Sequence, residues 1–219
     1  AYAKHYYSAG SPQERLDDFH ALIQDPSIKA VIFSAGGDTA NDLVEHIDYD
    51  LIRNNPKIIS GISDATTLLT PITAKTGLIT FLGLEFLDFA DYDTQYTVQA
   101  MKSAWFDGVP QEIRPNPNWK ELKGNVTAYK EWQTIKEGAA QGQLFGGNSE
   151  SYIQLLDTPY ELRIPNGILF LETYRLPKKQ IHKTLMQLKI RGVLDQIAGL
   201  VVGYCLESDK PDVVGNDQL

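Results

Sequence analysis

Between Lys57 and Thr67 a short β-branched run, Ile58-Ile59-Ser60, breaks at Gly61 and delivers Ser63 onto the turn before a helical segment. A buried run that hands over at once to a helix predicts one strand of a mostly parallel sheet, because parallel strands are joined by crossovers. In such an elbow a serine side chain stands at the sheet's carboxyl edge. The N–H groups that follow it point outward, where they can hold a developing oxyanion. Gly61-Ile62-Ser63-Asp64-Ala65 differs by one residue from the pattern Gly-x-Ser-x-Gly. Ser and Asp ahead of a helix are also ordinary N-caps, so the elbow alone leaves both readings open.

The flanking segments supply the rest of a β-α-β arrangement. Ser11-Pro12-Gln13-Glu14 is a capping box with Pro at the first helical position, and Leu16, Phe19, Leu22 and Ile23 mark one buried face of a helix ending near Asp25-Pro26. Ala30 to Phe33 reads as a buried strand and Thr39 to Ile47 as a helix with Leu43, Val44 and Ile47 inward. Lys57 to Ser60 is the next strand, a helix follows Ser63, and Leu78 to Phe81 is another strand. Residues 1–90 are therefore expected to form an α/β domain with a doubly wound, mostly parallel sheet of the Rossmann or flavodoxin type.

The pattern changes between residues 91 and 136. All three tryptophans, Trp105, Trp119 and Trp132, lie there with the turn cluster Pro115-Asn116-Pro117-Asn118, which predicts hairpins and a connecting segment. From 137 to 219 a second, smaller α/β domain is expected. Gly146-Gly147-Asn148 opens a helix through Ile153, Leu155 and Leu156, and Gly167 to Leu171 is a strand. Pro177 then starts a helix with Ile181, Leu185 and Leu188 on one side, and Ala198 to Tyr204 is a buried strand.

Composition narrows the partners. A formal charge of −8 argues against nucleic acid and anionic membrane surfaces, both of which need a basic face. No run reaches the apolar length of a membrane-spanning helix. The single cysteine, Cys205, lies in an apolar run, so no disulfide closes within the chain and a reducing, cytoplasmic compartment is expected. Its buried setting also removes it as a nucleophile for amidotransferase-like chemistry.

Consecutive parallel strands joined by one helix usually lie side by side. The loop Ser34-Ala35-Gly36-Gly37-Asp38 and the Ser63 turn should then open at the same edge, where open α/β sheets bind ligands. Gly36 and Gly37 allow close backbone approach. The amides of Gly37 and Asp64 are expected to form an oxyanion hole beside the Ser63 hydroxyl, with Gly36 at the substrate. Phosphate cradling is disfavoured, since the glycine pair belongs to neither Gly-x-Gly-x-x-Gly nor a Walker motif.

Five ordered blocks resemble the LD-carboxypeptidase family of serine peptidases, which includes the murein tetrapeptide carboxypeptidases and microcin C self-immunity proteins. They are Leu51 to Lys57, Gly61 to Thr66, Lys75 to Phe81, Gly146-Gly147-Asn148 and Ile168 to Glu172. The resemblance implies an α/β fold whose second domain is of the swivelling type. It also implies an acyl-enzyme mechanism with Ser63 as nucleophile and Glu172 as the glutamate of a Ser-Glu-His triad. No metal or cofactor, a small peptide or peptidyl-nucleotide substrate and a homodimer are implied as well. Asn148 could bind substrate through its amide or cap a helix.

The family's histidine follows the glutamate by several tens of residues, and its first strand precedes a position equivalent to Ala1. His5, His20, His46 and His182 do not replace that histidine, so the chain is expected to be the middle of a longer protein. Without a general base Ser63 is a poor nucleophile, which keeps a non-catalytic binding protein on the same fold as the alternative. Ala35 and Asp38 stand where murein enzymes usually carry Arg and Tyr, which leans the comparison towards the microcin immunity branch. In that branch an aromatic residue stacks on the nucleobase, a role open to the three tryptophans alongside packing.

Overall fold

The computed structural model describes residues 4–6, 8–83, 85–86, 94–108, 112–114, 132–173 and 176–203. It divides into two compact units, residues 1–138 and 139–219. Each is built around its own three-stranded parallel sheet, with strand orders β1-β2-β3 and β4-β5-β6. This is the expected α/β class.

In the first unit, helix α1 (Pro12–Gln24) begins with the full capping box: Ser11 Oγ accepts from the Glu14 N–H, and the Glu14 carboxylate accepts from the Ser11 N–H. Those bonds from Ser11 hold the Glu14 carboxyl below its ordinary range. Leu16, Phe19 and Ile23 are buried, whereas Leu22 is 42% exposed and lies off the inward stripe. Strands β1 (Ala30–Ile32), β2 (Ile58–Gly61) and β3 (Phe81–Leu82) pair in parallel with Val31 opposite Ile59 and Gly61 opposite Leu82. Their apolar side chains meet those of α1 and of α3 (Thr66–Thr76) in one core that includes Ile52, Leu68 and Ile72.

The segment from Thr39 to Ile47 departs from expectation. It is a 3-10 turn at Ala40–Asp42 followed by further i→i+3 bonds, and the α-helix of this crossover is α2 (Tyr49–Asn54). Leu43, Val44 and Ile47 are buried as expected. Tight turns satisfy the same inward set because the start of the segment is tied down from both sides. Arg15 binds the Thr39 carbonyl and the Asp42 carboxylate, while Asp64 accepts from the Thr39 and Ala40 N–H groups.

The expected hairpins are replaced, within the described residues of that stretch, by helix α4 (Thr94–Lys102) and a π-helical turn at Ser103–Asp107. Residues 94–102 contain neither Gly nor Pro, so nothing local opposes a helix. Trp105 packs on Phe81 at 5.7 Å between ring centroids, and Trp132 is exposed. Trp119, the Pro115–Asn118 cluster and Cys205 lie outside the described residues.

The second unit pairs β4 (Leu144–Asn148), β5 (Ile168–Glu172) and β6 (Gly199–Val202). Strand β4 was not expected, since its glycines read as the opening of a helix. Gly146 and Gly147 instead take φ of +130° and +147° within the strand, and α5 (Ser149–Leu155) starts after Asn148. Strand β6 is shorter than the expected buried strand and lies at the sheet's end of order, with Leu200 and Val201 exposed. Helix α6 (Lys178–Ile190) buries Thr184 and Leu188. Among the described residues no helix is long and apolar enough to cross a membrane.

Tyr152 of α5 is fully buried against Phe145, and its hydroxyl donates to the Leu162 carbonyl at 3.0 Å. Burial, aided by the Glu161 charge, pushes its phenol well above the ordinary tyrosine value. A raised phenol pKa favours the folded state below the unfolded value of about 10, and that contribution is lost as pH rises further. Tyr152→Phe should therefore cost about 1 kcal/mol in urea unfolding at pH 8, with the deficit shrinking at pH 11. A deficit that stays constant between the two pH values would show that ionisation of this phenol is not opposed by folding.

Candidate active site

Parallel pairing brings the carboxyl ends of β1, β2 and β3 to one edge, so the loops leaving them are neighbours. The expected meeting of the Gly36-Gly37 loop with Ser63 is observed directly. A Cβ placed on Gly36 would lie 2.9 Å from Ser63 Cβ and 3.3 Å from its Oγ. Glycine is required there because the serine side chain occupies the space a methyl group would take.

Ser63 is held at φ +52°, a left-handed conformation that costs a residue with a Cβ about 1–2 kcal/mol. The strain belongs to a tight handover: β2 ends at Gly61, a 3-10 turn spans Ser63–Ala65, and α3 begins at Thr66. Gly61 and Ala65 make the turn possible. A Cβ on Gly61 would lie 2.7 Å from Ala65 Cβ and 2.8 Å from Phe33 Cδ2, so the buried Ala65 fills the place of the second glycine in the hydrolase pattern. The Ser63 side chain is half-buried, and its hydroxyl has no hydrogen-bond partner among the described residues.

Within the described residues, neither the Gly37 nor the Asp64 N–H has an acceptor. The Asp64 side chain, by contrast, is engaged. Its Oδ2 accepts from the Thr39 and Ala40 N–H groups at 2.8 Å each, joining the elbow to the loop after β1. Sequence reasoning assigned Asp64 only its backbone amide, because an acid at a helix start reads as a cap of that same helix. A second unforeseen residue is Glu85, whose carboxylate accepts from the Gly36 N–H at 2.9 Å. No sequence signal marks it, since it follows β3 in a loop with no motif.

In the second unit Asn148 and Glu172 are register partners at the carboxyl ends of β4 and β5. The Asn148 amide donates to Glu172 Oε2 at 2.8 Å, and its Oδ1 accepts from the Ser151 N–H and so caps α5. Helix capping by Asn148 is thus present, together with a contact to the glutamate. His20 accepts from the Asp48 N–H, and His46 and His182 are exposed. The described residues contain no cluster of three metal-ligating side chains.

The LD-carboxypeptidase N-terminal domain matches residues 1–83 and the LD-carboxypeptidase C-terminal domain matches residues 141–218. The chain belongs to the LD-carboxypeptidase family. It is 34% identical to a probable murein peptide carboxypeptidase of Bacillus subtilis strain 168, over 91% of this chain and 59% of that protein. It is 30% identical to the microcin C7 self-immunity protein MccF of Escherichia coli, over 90% of this chain and 62% of that protein. The chain therefore spans about 60% of the length of these relatives. Among solved structures, the MccF-like protein of Bacillus anthracis strain Ames superposes with a TM-score of 0.82 at 30% identity, covering 91% of this chain and 64% of its own. MccF in complex with aspartyl sulfamoyl adenosine gives 0.74 at 29% identity, covering 92% and 65%.

Proposed function

We propose that the full-length protein is a serine hydrolase of peptide-like amide bonds acting through an acyl-enzyme. Ser63 attacks the carbonyl carbon, and its proton passes to a histidine located outside residues 1–219. Glu172 orients that imidazole and stabilises its charged form. The oxygen becomes an oxyanion held by the Gly37 and Asp64 N–H groups. Collapse breaks the C–N bond as the histidine returns the proton to the leaving amine, and water repeats the sequence to release the acyl group. Gly36 forms the wall beside the nucleophile, and Asn148 holds the Glu172 carboxylate through its amide. The observation that carries this reading is Ser63 itself: a strained, half-buried serine whose hydroxyl is left without a partner among the described residues, on a strand-turn-helix elbow.

For substrate, the reading is an acidic aminoacyl nucleotide. It is supported by the fit to MccF in complex with aspartyl sulfamoyl adenosine, and by Ala35 and Asp38 flanking the glycine pair. The test is a parallel assay of the full-length protein on a murein tetrapeptide and on aspartyl sulfamoyl adenosine. Release of aspartate from the nucleotide is expected. Cleavage of the tetrapeptide alone would move the protein to the murein enzymes, and tight binding of either compound without turnover would make it a binding protein.

A further inference from the structure

The residues after β3 bind both loops of the site. Gly83 N–H donates to the Gly61 carbonyl at 3.2 Å, and Phe86 N–H donates to the Phe33 carbonyl at 3.0 Å. Between them, Glu85 Oε2 accepts from the Gly36 N–H at 2.9 Å, a bond between residues 49 positions apart. Gly36 and Gly37 have the least restrained backbone of any residue pair, so the direction of their amides is not set by local sterics. The carboxylate removes that freedom at one end. It also takes the Gly36 amide out of competition for a ligand, leaving the Gly37 N–H as the donor of the pair without an acceptor among the described residues.

We infer that Glu85 is a positioning residue for the reaction: its carboxylate orients the Gly36-Gly37 loop so that the Gly37 amide, and not the Gly36 amide, faces the oxyanion formed at Ser63. The inference rests on the hydrolase reading above. Its chemical requirement is an acceptor at this position, not a negative charge, so an amide oxygen serves equally. A preorganised donor is effective because it does not reorient during the reaction. Loss of the anchor lowers the rate of Ser63 acylation by about 10- to 100-fold and leaves ligand affinity nearly unchanged.

The test uses the full-length protein with a fluorophosphonate probe, comparing wild type, Ser63→Ala, Glu85→Ala and Glu85→Gln. The first-order rate of covalent modification and the probe's apparent affinity are fitted separately. Hydrogen exchange of the Gly36 amide is followed by NMR, and a thermal melt confirms folding. The expected result is slow modification and fast Gly36 exchange in Glu85→Ala, with both restored to within about threefold of wild type in Glu85→Gln. Should Glu85→Ala fail to fold, the Gln variant and wild-type Gly36 protection still decide, because an unprotected Gly36 amide or a Gln variant as slow as about 10-fold below wild type overturns the inference. Modification of a folded Glu85→Ala at the wild-type rate overturns it alone. A wild type no more reactive than Ser63→Ala overturns the hydrolase reading and this inference with it.

Discussion

On the proposed mechanism, replacing Ser63 with alanine in the full-length protein will reduce hydrolysis by about 10⁴-fold or more while the fold stays intact, because the proposed nucleophile is removed. The backbone makes the companion variant informative. Ser63 is held at φ +52°, where glycine carries no steric penalty from a Cβ. Ser63→Gly should therefore be equally inactive yet about 1 kcal/mol more stable than Ser63→Ala in denaturant unfolding. Strain of this kind at a serine is tolerated where it presents the side chain, so the pair of variants separates the stability cost of the elbow from its chemical use. Retained turnover in Ser63→Ala would remove the serine from the mechanism, and equal stability of the two variants would show that the turn is not strained.

The second large effect concerns the fold of the other unit. Gly146 pairs with Phe170 in the β4-β5 ladder at φ +130°, and a Cβ there would lie 2.0 Å from the Phe170 carbonyl oxygen and 3.0 Å from Leu169 Cδ1. The obstruction is backbone, which a rotamer change cannot relieve. Overpacking and the unfavourable φ together put the cost of Gly146→Ala at roughly 3 kcal/mol or more, a fall of roughly 10 °C in melting temperature. The displacement should spread along the register to Asn148 and Glu172, two residues on. A melting temperature within a degree or two of wild type would show that β4 moves away from β5 at little cost.

The elements that local chemistry dictates were readable in the chain. The capping box of Ser11 and Glu14 starts α1 where expected, and β1, β2 and β5 coincide within a residue or two with their apolar runs. Placing Ser63 beside Gly36 also followed from sequence order, because parallel β-α-β connectivity puts successive strand ends at one edge. The errors came where a residue's meaning depends on a distant neighbour. Gly146-Gly147 reads as a helix-opening turn until the Phe170 carbonyl above it is known. Leu200 and Val201 read as core, but among the described residues their strand ends the sheet order, and both are about two-fifths exposed. The segment 39–47 reads as a helix until Asp64 and Arg15 hold its first turn.

The amino-acid order by itself thus determined which serine can sit on an elbow, which glycines can approach it, that the first unit is a mostly parallel α/β sheet and that the second is α/β, since these follow from φ preferences, β-branching and connection rules; the parallel pairing of β4 with β5 came from the tertiary structure. Only the tertiary structure decided that the Asp64 carboxylate ties the elbow to the neighbouring loop, that Glu85 takes the Gly36 amide, and that Asn148 holds Glu172. Hydrogen bonds between residues 24 to 49 positions apart leave no periodicity in a chain, because a single polar contact needs only one donor and one acceptor brought together by the packing of everything else.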